Sequence, residues 1–498
     1  MITTSKKRSS NHMRKIFLLF ILLASTRIVS ASTNLITVYQ QALTSDPVFQ
    51  QAIAQQLATN ENVPISLSQI LPHLGGNISP YLTRQVSSGP AALSGTDRDR
   101  GYNVNLTLTQ TIFNFAQFAN LAGAKATAKQ AVATLNAASQ DLMIRVSSAY
   151  FKVLEDVDNV RSSLSAKTAF AKQLDQVTQQ YKVGLKTITD VYTAQASYQT
   201  SVADYITAQN QLANDKENLR AITGVLYPSL AKLSERFPLI SPQPTDIDSW
   251  VSTAEKNNWQ IKANQYAASA AKTNIKQQFA GHLPTLNVQG SYSIYFNRDL
   301  GGSASSGNST EPFSFNPPGS SQIHDSTVSL NLAVPLVSGG QVVAQTHQAQ
   351  YQYQAAMQQL EQQIRTTENI TRQSYLGILA GISKINADKK AIQSAKSSLE
   401  GMEAGYRVGT EILVNVLNQQ QTVFQNEVKY ARDRYEYVND LLTLKQAAGT
   451  LSPEDLIAIN AWLENDAVLS NDTDTNIEPH HKLSHSTLRT AKINKNPP

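Results

Sequence analysis

Two periods of hydrophobicity alternate along the chain. From Gly75 to Arg84 and from Tyr102 to Thr111 the period is two, with Val104, Leu106 and Leu108 on one side and Asn105, Thr107 and Thr109 on the other, which predicts two strands around a Ser-, Gly- and Asp-rich loop. Before them, Leu35 to about Asn62 has a helical stripe (Leu35, Val38, Tyr39, Ala42, Leu43), dented at Asp46-Pro47. After them, Ala116 to Tyr181 contains no proline and little glycine. At ~1.5 Å per residue this predicts a helix on the order of 100 Å long, beyond what one globular domain holds. A shorter helix to Thr223 and a Pro-containing link from Pro228 to Pro244 follow.

The second half repeats this order. A helix is expected from Ile247 to Phe279, strands from Leu286 to Phe296 and Thr327 to Val337, and a long helix from Gln341 to Tyr406. Leu286, Val288, Tyr292, Ile294 and Phe296 alternate with polar residues, as do Val328, Leu330, Leu332 and Val334. YKVGLKTITDV (Tyr181 to Val191) recurs 225 positions later as YRVGTEILVNV (Tyr406 to Val416), and GVLYP at Gly224 recurs as GTLSP at Gly449. LPHL at Leu71 and LPTL at Leu283 are 212 apart, so a Gly/Ser/Pro-rich insert from Gly301 to Ser321 accounts for the extra length. The chain is an internal duplication. Its expected parts are a leader (1–31), a first repeat (32–227, hairpin 75–111, corner 181–191), a linker (228–246), a second repeat (247–465, hairpin 286–337, corner 406–416) and a disordered polar tail (466–498).

Each doubled corner reads as a helix-to-helix turn. Gly184 and Gly409 suit the left-handed conformation that ends a helix, with Lys182 and Arg407 at the negative end of the dipole. Thr187 and Asp190 fit a capping box for the next helix, whereas Thr410 is the expected cap in the second corner.

Residues 1–31 join a basic front (Lys6, Lys7, Arg8, Arg14, Lys15), an apolar run from Ile16 to Ala24 and the small-residue end Val29-Ser30-Ala31, the pattern of a secretory signal peptide. Met13 is an alternative start. Without the leader, 36 Lys and Arg face 37 Asp and Glu, so the basic balance belongs to the leader and nucleic acid is not an expected partner. The chain has no cysteine, hence no disulfide framework and no lipidated N-terminal Cys. No phosphate-binding loop, G-x-G-x-x-G, G-x-S-x-G or H-E-x-x-H is present, and His73, His282, His324 and His347 are scattered, so no enzyme or cofactor is expected. His480, His481 and His485 complete no recognisable ligand spacing, and no metal is expected.

Each half thus supplies one β-hairpin and a helical body. Four strands with one apolar face leave two edges unpaired in lipid, whereas three chains give twelve strands that can close. The expectation is an α+β fold, a trimeric outer-membrane β-barrel continuous with a long periplasmic α-helical barrel. A trimeric surface adhesin with a barrel anchor is the rival, but each hairpin here lies between helices, so helices return to the same side twice.

LTQTIFNFAQ (Leu108 to Gln117), YFKVL (Tyr150 to Leu154), the two corners, GHLPTL (Gly281 to Leu286) and SSLEGMEAGYRVGT (Ser397 to Thr410) resemble the TolC family of outer-membrane channel proteins. The match runs in order from Leu35 to about Leu463. The resemblance implies a homotrimeric channel-tunnel in outer-membrane lipid, serving drug efflux or type I protein secretion with a periplasmic adaptor and an inner-membrane pump of the RND or ABC type. It makes the corners the periplasmic tip, with Val183, Gly184, Leu185, Val408, Gly409 and Thr410 as the adaptor-docking turns.

In the family the closed tip is held around a tyrosine, an arginine and a Thr-Asp pair. Tyr406 matches the tyrosine, Thr189 and Asp190 the pair, and Gln173 a further partner. The arginine position is Glu411, and the two acidic residues of the selectivity ring are Asn415 and Asn418. Lys186 occupies the repeat position of Glu411, so an ion pair between them is a candidate replacement latch, and solvated side chains are the alternative. Asp190 is open to a capping role, a gating role or both.

Overall fold

The computed structural model describes residues 33–87, 95–299, 302–304, 315–316 and 319–464. The leader, most of the Gly301 to Ser321 insert and the tail histidines lie outside them. No helix among the described residues is long and apolar enough to cross a membrane.

The helix expected from Leu35 to about Asn62 is two, α1 (Leu35–Ser45) and α2 (Pro47–Asn60), and a further helix, α3 (Asn62–Ser68), follows. Asp46 makes the break. Its carboxylate accepts from the Phe49 amide at 2.8 Å and from the Arg145 fork at 3.1 and 2.8 Å, and Pro47 has no amide to lose at the first helical position. The guanidinium holds the Asp46 carboxyl below its usual pKa.

Strands β1 (His73–Ser87) and β2 (Gly95–Phe113) form the first hairpin. They are followed by α4 (Phe115–Lys182) and α5 (Ile188–Thr223). In the second half Asn258 divides the expected helix into α6 (Ile247–Asn257) and α7 (Trp259–Phe279), because its side chain accepts from the Gln260 and Ile261 amides at 2.9 and 3.1 Å. Strands β4 (Thr285–Asp299) and β7 (Ser320–Ala333), then α8 (Gln341–Val408), α9 (Leu413–Ala447) and α10 (Pro453–Asn460), complete the repeat. β7 lies several residues earlier than the alternation predicted. Pro335 has no amide for a ladder, and Gly339 and Gly340, with φ of 57° and 80°, turn the chain into α8. The insert adds two short strands, β5 (Gly302–Ala304) and β6 (Phe315–Asn316), that extend the sheet at the hairpin tips.

The sheet order is β1-β2-β4-β7, antiparallel throughout, so among the described residues β1 and β7 each have a free long edge. Register puts Leu74, Ile78 and Leu82 on the face of Tyr102, Val104, Leu106 and Leu108, and continues it through Val288, Tyr292 and Ile294 to Val328 and Leu330. The other face carries Asn77, Asn105, Thr107, Gln289, Ser291, Ser293 and Asn331, with Ser293 Oγ donating to Asn105 Oδ1 at 3.1 Å. One face therefore suits hydrocarbon and the other water.

All four hairpin ends that meet helices lie at one end of this sheet, so the helices extend from one side only. The central core joins α1 (Leu35, Val38, Tyr39, Ala42) to α4 (Leu142, Val146, Tyr150, Phe151, Leu154) and α9 (Tyr435, Tyr437, Val438, Leu442). The linker is part of this waist: β3 (Lys232–Leu233) pairs with β8 (Leu463–Glu464), and Tyr150 Oη donates to the Ala231 carbonyl at 2.7 Å. A second, smaller core lies at the far end of the helices. It contains Phe170, Val177, Ala194, Tyr406, Leu413, Val416 and Leu417.

Candidate gate at the helical tip

Around this second core the two helical hairpins meet. In the first, α4 ends with Gly184 at φ 79°, its amide donating to the Tyr181 carbonyl at 2.9 Å and the Leu185 amide to that of Gln180 at 2.9 Å. Only a residue tolerant of the left-handed region closes the helix this way. Thr187 then begins α5 with a complete capping box: the Asp190 amide donates to Thr187 Oγ1 at 3.2 Å, and Asp190 Oδ2 accepts from the Thr187 amide at 3.0 Å and hydroxyl at 2.8 Å. Both capping bonds expected from the sequence are present. Thr189 beside them is exposed.

The second corner closes α8 in the same way, with Gly409 at φ 86° and the Thr410 amide donating to the Gly405 carbonyl at 2.9 Å. Its next helix starts differently. The N-cap of α9 is Ile412, which makes no side-chain cap bond, and Thr410 Oγ1 instead donates back to the Gly405 carbonyl at 3.2 Å. The expectation of a Thr410 cap is corrected: the repeat partner of Thr187 is Ile412, and an isoleucine offers no acceptor.

Lys186 and Glu411 do not pair within the protomer. Lys186 Nζ lies 3.9 Å from the centroid of the buried Tyr406 ring, and Glu411 Oε2 accepts from Asn415 Nδ2 at 2.9 Å. A cation over a tyrosine face, worth ~0.5–1 kcal/mol at a partly exposed site, thus links the first corner to the second helical hairpin. Sequence spacing pointed to Lys186 but paired it with its repeat mate, whereas packing turns it to the ring on the helix before that mate.

Three polar side-chain atoms on the helices that end at the two corners are buried without a hydrogen-bond partner among the described residues: Tyr406 Oη, Gln173 Nε2 and Gln180 Oε1. Leaving such a group unpaired costs about 1–3 kcal/mol. Gln173 and Tyr406 were singled out from the sequence, but Gln180 was missed; being one to two helical turns on from Gln173 on the same helix was the available signal. Asn415 and Asn418 are exposed on the first two turns of α9. The turns themselves are apolar and open to solvent, with Val183 at 70%, Leu185 at 72%, Val408 at 76% and Ile412 at 63% exposure. Ile412 belongs to this surface although the docking set drawn from the sequence omitted it.

The sequence matches the family described as "Outer membrane efflux protein" over residues 38–225 and 250–450, one stretch per repeat. The chain belongs to this family. It is 36% identical over 437 residues to the outer membrane protein TolC of Salmonella enteritidis, covering 87% of this chain and 86% of that one. It is 25% identical to the alkaline protease secretion protein AprF of Pseudomonas aeruginosa, over 85% and 86% of the two chains. The CmeC outer membrane channel of Campylobacter jejuni superposes with a TM-score of 0.68 at 16% identity, over 86% of this chain and 90% of that one. This channel therefore resides in the outer membrane and acts as an exit duct for efflux and type I secretion. Its relatives are channel and secretion proteins rather than enzymes, and the adhesin reading is not favoured.

Proposed function

We propose that three copies of the chain close their sheets edge to edge, β1 of one protomer on β7 of the next, and that the duct so formed is shut at the tip by the contact of Lys186 with Tyr406. The observation that carries the assembly is the sheet itself: apolar on one face, polar on the other, and unpaired along both outer strands. Open edges are not tolerated in hydrocarbon. The exposed Val48, Leu57, Ile65 and Leu67 of α2 and α3 add apolar surface for neighbouring protomers to cover.

At the tip, Gln173, Thr189, Asp190, Asn415 and Asn418 line the constriction, and the uncharged Asn415 and Asn418 leave it less cation-selective than an acidic ring would. The buried but unpartnered groups make closure metastable, because opening hydrates them. The solvent-exposed turns, Val183-Gly184-Leu185 and Val408-Gly409-Thr410, form the surface on which a periplasmic adaptor docks. An inner-membrane pump of the RND or ABC type then loads the duct.

Purified full-length protein in mild detergent and planar bilayers tests this reading. Trimer-sized particles should give small, weakly cation-selective channels that widen in Lys186→Met. A monomer by mass, or folded trimers without conductance, would overturn it.

A further inference from the structure

At the outer end of the sheet, away from the helices, charge is sorted by face. Arg84, Arg100 and Arg298 occupy the face that carries Leu82, Tyr102 and Phe296, whereas Asp99, Asp299 and Asp325 occupy the opposite face. Among the described side chains of the four long strands, the apolar face carries no carboxylate at all. On it Arg100 stands directly opposite Arg298, and Arg84 lies diagonally across from Arg100 and opposite Arg98. Like charges directly opposite on an antiparallel pair destabilise it, and acidic neighbours normally relieve the repulsion. Here Arg84, Arg100 and Arg298 are exposed and enter none of the ion pairs among the described residues.

Their height fixes what they meet. On β4 the outward apolar positions run from Leu286 to Phe296. Ten steps of ~3.4 Å on a strand tilted by ~40° span roughly 26 Å, the height of the apolar band of an outer-membrane barrel. Tyr102 and Phe296, stacked with centroids 5.1 Å apart, end the band. Arg298 is the next outward position, and Arg100 is its neighbour across the ladder. Their guanidinium groups therefore stand level with the headgroups of the outer leaflet. A guanidinium fork matches phosphate oxygens bidentately, which a hydrated ammonium does not.

We propose that Arg84, Arg100 and Arg298 form a ledge that binds the phosphorylated headgroup of an outer-leaflet glycolipid, its phosphate bridging the opposed Arg100 and Arg298. The lipid then supplies the counter-charge that the apolar face of the described strands lacks, and its acyl chains run down that face beneath. The inference rests on the barrel reading above.

The test is binding of diphosphorylated lipid A to the purified full-length channel, read by native mass spectrometry and by the shift in melting temperature. Dephosphorylated lipid A and inorganic phosphate are the comparison probes. The wild type should retain the phosphorylated glycolipid, and Arg100→Gln/Arg298→Gln should weaken it about tenfold or more, the loss of a charge-assisted pair of bonds. Trimer mass and single-channel conductance should not change. Equal binding by the variant, equal binding of the dephosphorylated lipid, or equal binding of free phosphate would overturn the ledge. If the Gln variant does not assemble, Arg100→Lys/Arg298→Lys keeps the charge without the fork and should still bind more weakly than the wild type; undiminished binding would overturn the proposal. A wild type that forms no channel would instead refute the barrel.

Discussion

The two corners descend from one duplicated stretch, yet they are built to different strengths. The first starts its outgoing helix with the reciprocal Thr187 and Asp190 bonds. The second starts with Ile412 and has no side-chain cap, so its first amides rely on solvent or on backbone contacts such as that from Asn415 to the Ile412 carbonyl at 3.2 Å. A cap contributes ~1 kcal/mol. The second hairpin also contributes Tyr406, buried with its hydroxyl unpaired. The first corner is thus the more firmly capped of the two, so the proposed gate should open by movement of α8 and α9.

Removing the first corner's cap should have the largest effect. Thr187→Ala/Asp190→Ala loses both capping bonds and should destabilise the start of α5 by about 1–2 kcal/mol, seen as lost amide protection in its first turn and raised conductance. Copying that cap into the second corner should do the reverse: Ile412→Thr/Asn415→Asp recreates the Thr187 and Asp190 spacing and should add ~1 kcal/mol to the first turn of α9, lowering the open fraction in bilayer recordings. Unchanged conductance in both would remove the difference between the corners as a basis for gating.

Lys186→Met keeps the apolar stem and removes the cation over Tyr406, so antibiotic influx should rise by an amount matching ~0.5–1 kcal/mol, whereas Glu411→Gln should change influx less than Lys186→Met does. A larger effect of Glu411→Gln would favour the ion-pair latch between Lys186 and Glu411 over the contact with Tyr406.

The smallest change at the tip is expected from pH, because the carboxyls that burial raises, Asp156, Asp433 and Asp440, lie in the body. Burial pushes Asp156 on α4 up to about 7 from 3.8, with the adjacent Asp215 carboxylate adding to it. Its folded state therefore holds a proton that the unfolded chain has released, so stability falls as pH rises from about 4 to about 7. Asp156→Asn should reduce that slope in thermal melts, leaving the part contributed by Asp440, whose carboxyl burial raises to about 6, with conductance at each pH unchanged.

The long helices were legible because α4 and α8 lack proline and their ends carry Gly184 and Gly409, signals that act within a few residues. Strand faces were legible for the same reason, since the period of two fixes which side chains share a surface before any partner is known. Breaks at Asp46 and Asn258 were less so. Both are capping residues within a helical stripe, and a periodicity read across them merges two helices into one. At the tip, repeat position suggested that Lys186 meets Glu411, but the repeat records ancestry and not proximity.

The sequence by itself determined the duplication, the alternation of hairpin and helix, the left-handed corners and the capping box, all of which depend on local chain geometry. Only the tertiary structure decided that Lys186 covers Tyr406, that Gln173 Nε2, Gln180 Oε1 and the tyrosine hydroxyl are buried without partners among the described residues, and that Arg100 stands opposite Arg298 across the ladder. Those contacts join residues hundreds of positions apart, and their geometry is set by how helices and strands pack, which no local pattern encodes.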